Sequence, residues 1–514
     1  MHPRSPLADN LNHRTLTLPR PLKLVALGLA PVLYVAAGLV LKASRGPYWL
    51  GTNADPEYAY LFNALSIAGG HAPYHVDHPG TPLQMLGAVV LRAIALASGC
   101  DALVPDVIAR PETYLTAMHV AILAVVALLI FSAGLIVLRR TGHLGAALLV
   151  QASPWLFLAT SVELSRVRPE PLLIALSSVY GAVLLTSTAE TARRDVTALG
   201  VLAGVGMAAK ITALPLLLAP LVVFGAWRSR RRFVATAAVA FLAGIIAAWP
   251  RVLSMGKWLA TVAVHADPYG SGPVSVIDTG RYLPSLGRLL AAEPLVAMTI
   301  ALGALLWLAG HERRLLGAAL VVQIAQVLMV AKHPGVHYLA PLAGTLAITL
   351  WAAWQSVRAR AEPPVRRLAA SALAAVFVFP VAHARSQAAA LSHLRDDQQR
   401  TADVTQQSSG CADVYLYGSS SPAFALHFGN LWSKLPGVAD MLTVRYPGVA
   451  FDRGRLNLRD FTWSSDLDRP QFLRDHPCVL RQGPPIDAAA VPQDVALDIQ
   501  YAGQMETIYR LRPR

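Results

Sequence analysis

"LTAMHVAILAVVALLIFSAGLIVLRR", residues 115–140, runs for roughly 24 positions without a charged side chain and then ends in two arginines. At about 1.5 Å per helical residue such a run reaches about 36 Å, more than the ~30 Å of hydrocarbon in a bilayer. Backbone N–H and C=O groups in lipid must be satisfied internally, so the run is read as a membrane-spanning helix. Its terminal pair, Arg139 and Arg140, marks a cytoplasmic end by the positive-inside rule.

Similar apolar blocks recur on both sides of this one. The chain has 514 residues, of which 54% are hydrophobic and 14% charged, and its mean hydropathy is +0.46. Fitting spans between the basic clusters gives 23–42, 115–138, 143–160, 169–187, 197–209, 211–227, 233–250, 291–309, 315–331, 338–356 and 368–384. The expectation is a mainly α polytopic membrane protein with about eleven transmembrane helices, its N-terminus inside and its C-terminus outside. No small-residue cleavage site follows the first run, so that run reads as a retained helix. The stretch 82–98 is apolar too, but a span there would turn Arg139 and Arg140 outward, so it reads as interfacial or re-entrant.

The net charge of +14 raises the possibility of nucleic-acid binding. The basic residues sit between apolar runs instead of along one soluble face, so they are read as topology signals and no nucleic acid is expected. From about Arg385 the chain turns polar. "DVYLYG" alternates like a strand, and "SSSPAFALHF" opens like a serine-capped helix. The predicted organisation is a tail over 1–22, a membrane domain over 23–384 with outer loops at 43–114 and 251–290, and a small extracytoplasmic α+β domain over 385–514. Cys411 and Cys478 both fall in that last domain, where a disulfide can persist, and are expected to be bridged.

The charges at the outer ends of the spans are the informative ones. Asp55, Glu57, Asp77 and His78 lie in the first outer loop, and Glu163, Arg166, Arg168 and Glu170 in the next turn. Lys210 joins two short spans. His265, Asp267 and Tyr269 lie in the long loop "HADPYGSGP", and Lys332, His333 and His337 near the end of the membrane domain. Ionisable groups at membrane depth are expensive and usually line a polar site.

"DPEYAYLFNAL", "HVDHPGTPLQML", "SRVRPEPLLIAL", "GMAAKITALPLLLAP" and "KHPGVHYLAPLAG" follow one another in the order of the GT-C glycosyltransferases. The chain resembles the protein O-mannosyltransferase and aminoarabinose transferase branch over roughly residues 45–350. This resemblance implies an integral enzyme, in a bacterial inner membrane, that moves a sugar with inversion from a polyprenyl-phosphate carrier to a lipid, glycan or protein hydroxyl outside the cytoplasm. Asp55 falls where the family carries its first-loop catalytic aspartate. Glu57 is taken with it as catalytic, although Pro56 separates two acids that the family often has adjacent.

The chemistry asks for a carboxylate to take the acceptor proton and for cations to meet the leaving phosphate. Lys210, Lys332, Arg166, Arg168, His333 and His337 are the phosphate candidates. A bland alternative for Arg166 and Arg168 is pairing with Glu163 or Glu170. Asp77, His78, His265, Asp267 and Tyr269 are the sugar or acceptor candidates. No cofactor is expected, although Asp55, Glu57, Asp77 and His78 are hard ligands of the kind that suit Mg²⁺ or Mn²⁺. Two rival readings stay open at this point, a transporter or lipid-carrier flippase and a non-catalytic partner in envelope-glycan assembly. Against the first, the ionisable groups collect on one face and no internal repeat is visible.

Overall fold

The computed structural model describes residues 19–514 apart from 78–79, 189–190, nine positions between 361 and 375, 409 and 464–465. The chain is mainly helical and ends in a small sheet. Among the described residues five helices are long and apolar enough to cross a membrane: Arg20–Arg45, Thr81–Ser98, Pro111–Thr141, Arg313–Lys332 and Val336–Ala359. Two bent pairs bring the total to seven if each counts as one span. Trp227–Gly244 and Ile246–Val264 turn by 80°, and Thr279–Ala292 and Pro294–Leu308 by 98°.

This differs from the eleven runs read in the sequence, for identifiable local reasons. Runs 143–160, 169–187 and 211–227 fold as shorter apolar helices, Leu144–Leu156, Glu170–Leu185 and Ile211–Val223. Two of these are interrupted by proline, at Pro154 and Pro215, which removes a donor and turns the local backbone into a 3₁₀ helix. Residues 82–98 form a helix long enough to span, where an interfacial segment was expected. The stretch 251–290, read as a loop, carries the helices Val252–Val264 and Thr279–Ala292. Part of the run 368–384 lies outside the described residues.

Small residues let the membrane helices approach closely. A Cβ on Gly344 would lie 1.7 Å from the Ser177 carbonyl oxygen, and one on Gly181 would lie 2.1 Å from that of Gly344. The helices Glu170–Leu185 and Ala343–Arg360 therefore cross backbone to backbone, as small residues permit in lipid.

The C-terminal sheet has six strands: β1 Ala412–Leu416, β2 Val449–Asp452, β3 Leu458–Arg459, β4 Val479–Gly483, β5 Val495–Ala502 and β6 Thr507–Pro513. Their order is β3-β2-β1-β4-β6-β5, with β1 parallel to both β2 and β4. The serine-rich stretch after β1 does cap a helix, Pro422–Leu431, where the Ser421 side chain accepts from the Phe424 N–H and proline occupies the first turn. Ala412 stands opposite Val479 in the β1–β4 register, which places Cys411 beside Cys478, and the two are joined in a disulfide. The boundary drawn at residue 385 falls within the helix Val378–Gln407. Its side chains turn polar there without interrupting its backbone.

The sheet domain rests on the helix Ala54–Ala68, which is buried on almost every side. Gly429 makes the contact possible, because a Cβ there would lie 2.7 Å from the Phe62 ring. The turn leading into Ala54–Ala68 is pinned from the same side. The Gly51 N–H donates to Ser420 Oγ at 3.0 Å, and Thr52 Oγ1 to Gln398 Oε1 at 3.0 Å. Ser420 is held in turn by the buried Glu506 carboxylate.

Candidate active site

The short turn Gly46–Asn53 links the first long helix to Ala54–Ala68. Pro56 disfavours helical backbone at the residue before it, and Asp55 is extended (φ −97°, ψ 126°). The helix therefore settles only after Asp55. Its carboxylate stays exposed, while Glu57, two residues on, is fully buried. The two acids do different things.

Glu57 Oε1 receives Arg166 Nε at 2.8 Å and lies 3.4 Å from Arg45 Nη1. Burial alone would raise this carboxyl, but the guanidinium groups of Arg166, Arg45 and then Arg168 outweigh it and hold Glu57 below the usual carboxylate range. Arg166 also donates to the Asp55 carbonyl oxygen at 2.7 Å. The buried ion cluster thus reaches the backbone of the exposed acid. Asp55 itself accepts a hydrogen bond at its Oδ2 from the Tyr417 hydroxyl at 2.6 Å. Burial and the Asp55 carboxylate push the Tyr417 phenol well above its ordinary range, so it stays a donor.

A second ion pair stands beside the first. Lys210 donates to Glu170 with both side chains buried, and its ammonium lies 4.5 Å from the centre of the Tyr338 ring. Lys210 sits at the break between Ala192–Ala209 and the 3₁₀ segment Ile211–Leu217. Arg168 pairs with Glu163 at 3.5 Å and acts electrostatically on Asp55, Glu57 and Glu170, while His337, its ring centre 4.1 Å from that of Tyr338, lies within the electrostatic reach of Lys210, Glu170 and both arginines. Arg168 Nε is buried without a hydrogen-bond partner among the described residues. At the other end of Glu170–Leu185, Arg140 meets Thr186 and Asp195. A separate ion pair therefore stands at the opposite end of that helix from Lys210 and Glu170.

Other predicted residues fall in different places. Tyr269, 74% exposed in its loop, lies close enough to act electrostatically on Tyr338 and Tyr417. Lys332 and His333 instead face the helix Val252–Val264, with Lys332 Nζ donating to the Ala263 carbonyl at 2.6 Å. Lys332 shares a cleft of about 130 Å³ with Asp267 and Arg281. His265 bonds to the Thr261 carbonyl of its own helix. Asp77 is half-buried, which raises its carboxyl, in a loop tied at Gly80 N to the Ala209 carbonyl beside Lys210. His78 lies outside the described residues. Among the described residues no three His, Cys, Asp or Glu side chains are grouped to share a metal ion.

Sequence reasoning missed Arg45 and Tyr417. Arg45 carried a signal, a cation at the end of a span and 12 residues before Glu57. Tyr417 carried none, being 362 residues from the acid it touches.

The fold is similar to that of ArnT. ArnT from Cupriavidus metallidurans, in a crystal structure bound to undecaprenyl phosphate, superposes with a TM-score of 0.52 over 93% of this chain and 97% of its own, at 14% identity. The apo state of ArnT from the same organism matches with the same values. No protein-family model and no curated protein matches the sequence. The likeness to ArnT spans the sheet domain as well as the helices, well beyond the five motifs that carried the resemblance.

Proposed function

We propose that this chain is an inverting glycosyltransferase of the inner membrane that moves a sugar from a polyprenyl-phosphate donor to an acceptor hydroxyl on the extracytoplasmic face. The observation that carries the reading is Asp55, an exposed carboxylate held by Tyr417 at 2.6 Å and set beside a buried cluster of Arg166, Arg168 and Lys210. The ArnT fold and the carrier lipid in that crystal structure support the donor class.

In this reading Asp55 takes the acceptor proton as the hydroxyl oxygen bonds to the anomeric carbon. The bond from that carbon to the phosphate oxygen breaks in the same displacement, and the electron pair leaves with the polyprenyl phosphate. Arg168, with its unmet Nε, and Arg166, Lys210 and His337 face the developing phosphate charge. Tyr269 and Asp77 attend the sugar. Lys332, at the end of the helix Arg313–Lys332, stands with His333, His265 and Asp267 to one side of this centre. Glu57 acts through Arg166, fixing the guanidinium that holds the Asp55 carbonyl. The eleven-span topology, with the N-terminus inside and the sheet domain outside, belongs to the same proposal.

The test uses purified protein in lipid nanodiscs with radiolabelled polyprenyl-phosphate monosaccharides and envelope acceptors. Wild type transfers label and Asp55→Asn does not, while both bind carrier lipid. Full transfer by the folded variant removes Asp55 as the base, and absence of carrier binding by wild type removes the enzyme class.

A further inference from the structure

A cavity of about 470 Å³ opens between the first loop and the sheet domain, in the size range of small-molecule sites. Its walls are mostly aromatic. Tyr417, Phe428 and Trp432 follow one another with ring centres 5.7 and 6.3 Å apart, and Phe451 and Trp463 close the other side. Trp432 and Tyr417 are 37% and 58% exposed, so broad ring faces remain open. Aromatic faces are negative and attract the polarised C–H groups of a sugar ring.

The mouth is cationic. Lys434 stands 4.4 Å over the Tyr74 ring and Arg453 5.5 Å over the Trp463 ring, both exposed. Lys434 has φ +50°, a left-handed conformation uncommon for a lysine. The lone carboxylate of the lining, Asp452, is already met by Arg481 at 3.3 Å and by the Gly454 N–H at 2.7 Å. The uncompensated charge at the mouth is therefore positive.

His427 supplies the polar floor. It is 1% exposed, stacked on Phe451 with ring centres 3.7 Å apart, and neither ring nitrogen has a hydrogen-bond partner among the described residues. Leaving a buried polar group unmet is costly, and a ligand hydroxyl would recover that loss. Burial lowers its pKa to about 3, so the neutral ring offers one donor and one acceptor. Tyr417 joins the cavity to the reaction centre, because its ring lines the wall and its hydroxyl bonds to Asp55.

We propose that this cavity is the acceptor subsite and that it takes an acidic pyranose, with ring faces on Trp432 and Trp463, the anionic group at Lys434 and Arg453, and a hydroxyl on His427. The assignment rests on the reading of Asp55 as the base of a transferase.

Titration calorimetry of the full chain in nanodiscs tests it with two trisaccharides that differ at C6, trigalacturonate and galactotriose. Trigalacturonate binds wild type at least tenfold more tightly than galactotriose. Lys434→Ala with Arg453→Ala removes that preference, and Trp463→Ala weakens trigalacturonate tenfold or more. Equal affinity for both sugars, no binding by wild type, or variants indistinguishable from wild type overturns the subsite. Active Asp55→Asn with these binding results intact overturns the general base and leaves the subsite standing, so the two failures are separable.

Discussion

Replacing Glu57 by glutamine keeps the shape of the side chain and removes its charge. In the native protein that charge neutralises two guanidinium groups at 2.8 and 3.4 Å, with Glu57 and Arg45 out of solvent and Arg166 nearly so. Removing one partner of a buried pair costs about 3–5 kcal/mol, chiefly because the remaining charge is left uncompensated. The arginines keep their bonds to carbonyl oxygens, Arg45 to Ser165 at 3.2 Å and Arg166 to Asp55 at 2.7 Å, which places the expected loss near the lower end, about 3 kcal/mol. The folded-state carboxyl titrates below its ordinary value of 4.5. Its stabilisation is therefore complete above that pH and is lost as the pH falls through the depressed value. Equilibrium unfolding of wild type and Glu57→Gln in mixed micelles, from pH 7 downward, should show a gap that is constant to about pH 5 and then closes. A gap below about 1 kcal/mol at pH 7, or one undiminished in acid, would refute the account of the cluster.

Tyr417→Phe removes a hydrogen bond to a carboxylate, a class of bond contributing about 1.5–3 kcal/mol to stability, and should lower kcat for transfer about tenfold and lower the unfolding midpoint. Lys210→Met leaves Glu170 buried without its hydrogen-bonded cation and should cost about 3–5 kcal/mol. Lys210→Met with Glu170→Leu should recover much of that in a double-mutant cycle. Serine at Cys411 opens a crosslink spanning 67 residues and should destabilise the sheet domain by about 2–4 kcal/mol, read as earlier proteolysis of that domain. Gly344→Val drives a side chain into the Ser177 carbonyl and should abolish the monodisperse peak in size exclusion.

The membrane class and the ArnT-like fold were legible in the linear chain. Long uncharged runs have one solution in lipid, and five motifs kept the order of a known architecture. Asp55 beside proline, Lys210 at a helix break and a strand preceding a serine-capped helix are local signals, set within a few residues of where they act. The number of spanning helices was less legible, since proline and glycine breaks shorten or bend elements whose composition alone reads as continuous. The division of labour between Asp55 and Glu57 arises from packing: two acids two residues apart become an exposed carboxylate and a buried ion-pair anchor because Arg45 and Arg166 converge on one of them. Tyr417 and the aromatic cavity are likewise set by distant segments, since a sheet domain that begins more than 300 residues later folds back onto Ala54–Ala68 through Gly51 and Gly429. Periodicity and spacing report on neighbours along the chain, whereas contacts across such separations follow from which surfaces fit together once the helices have formed.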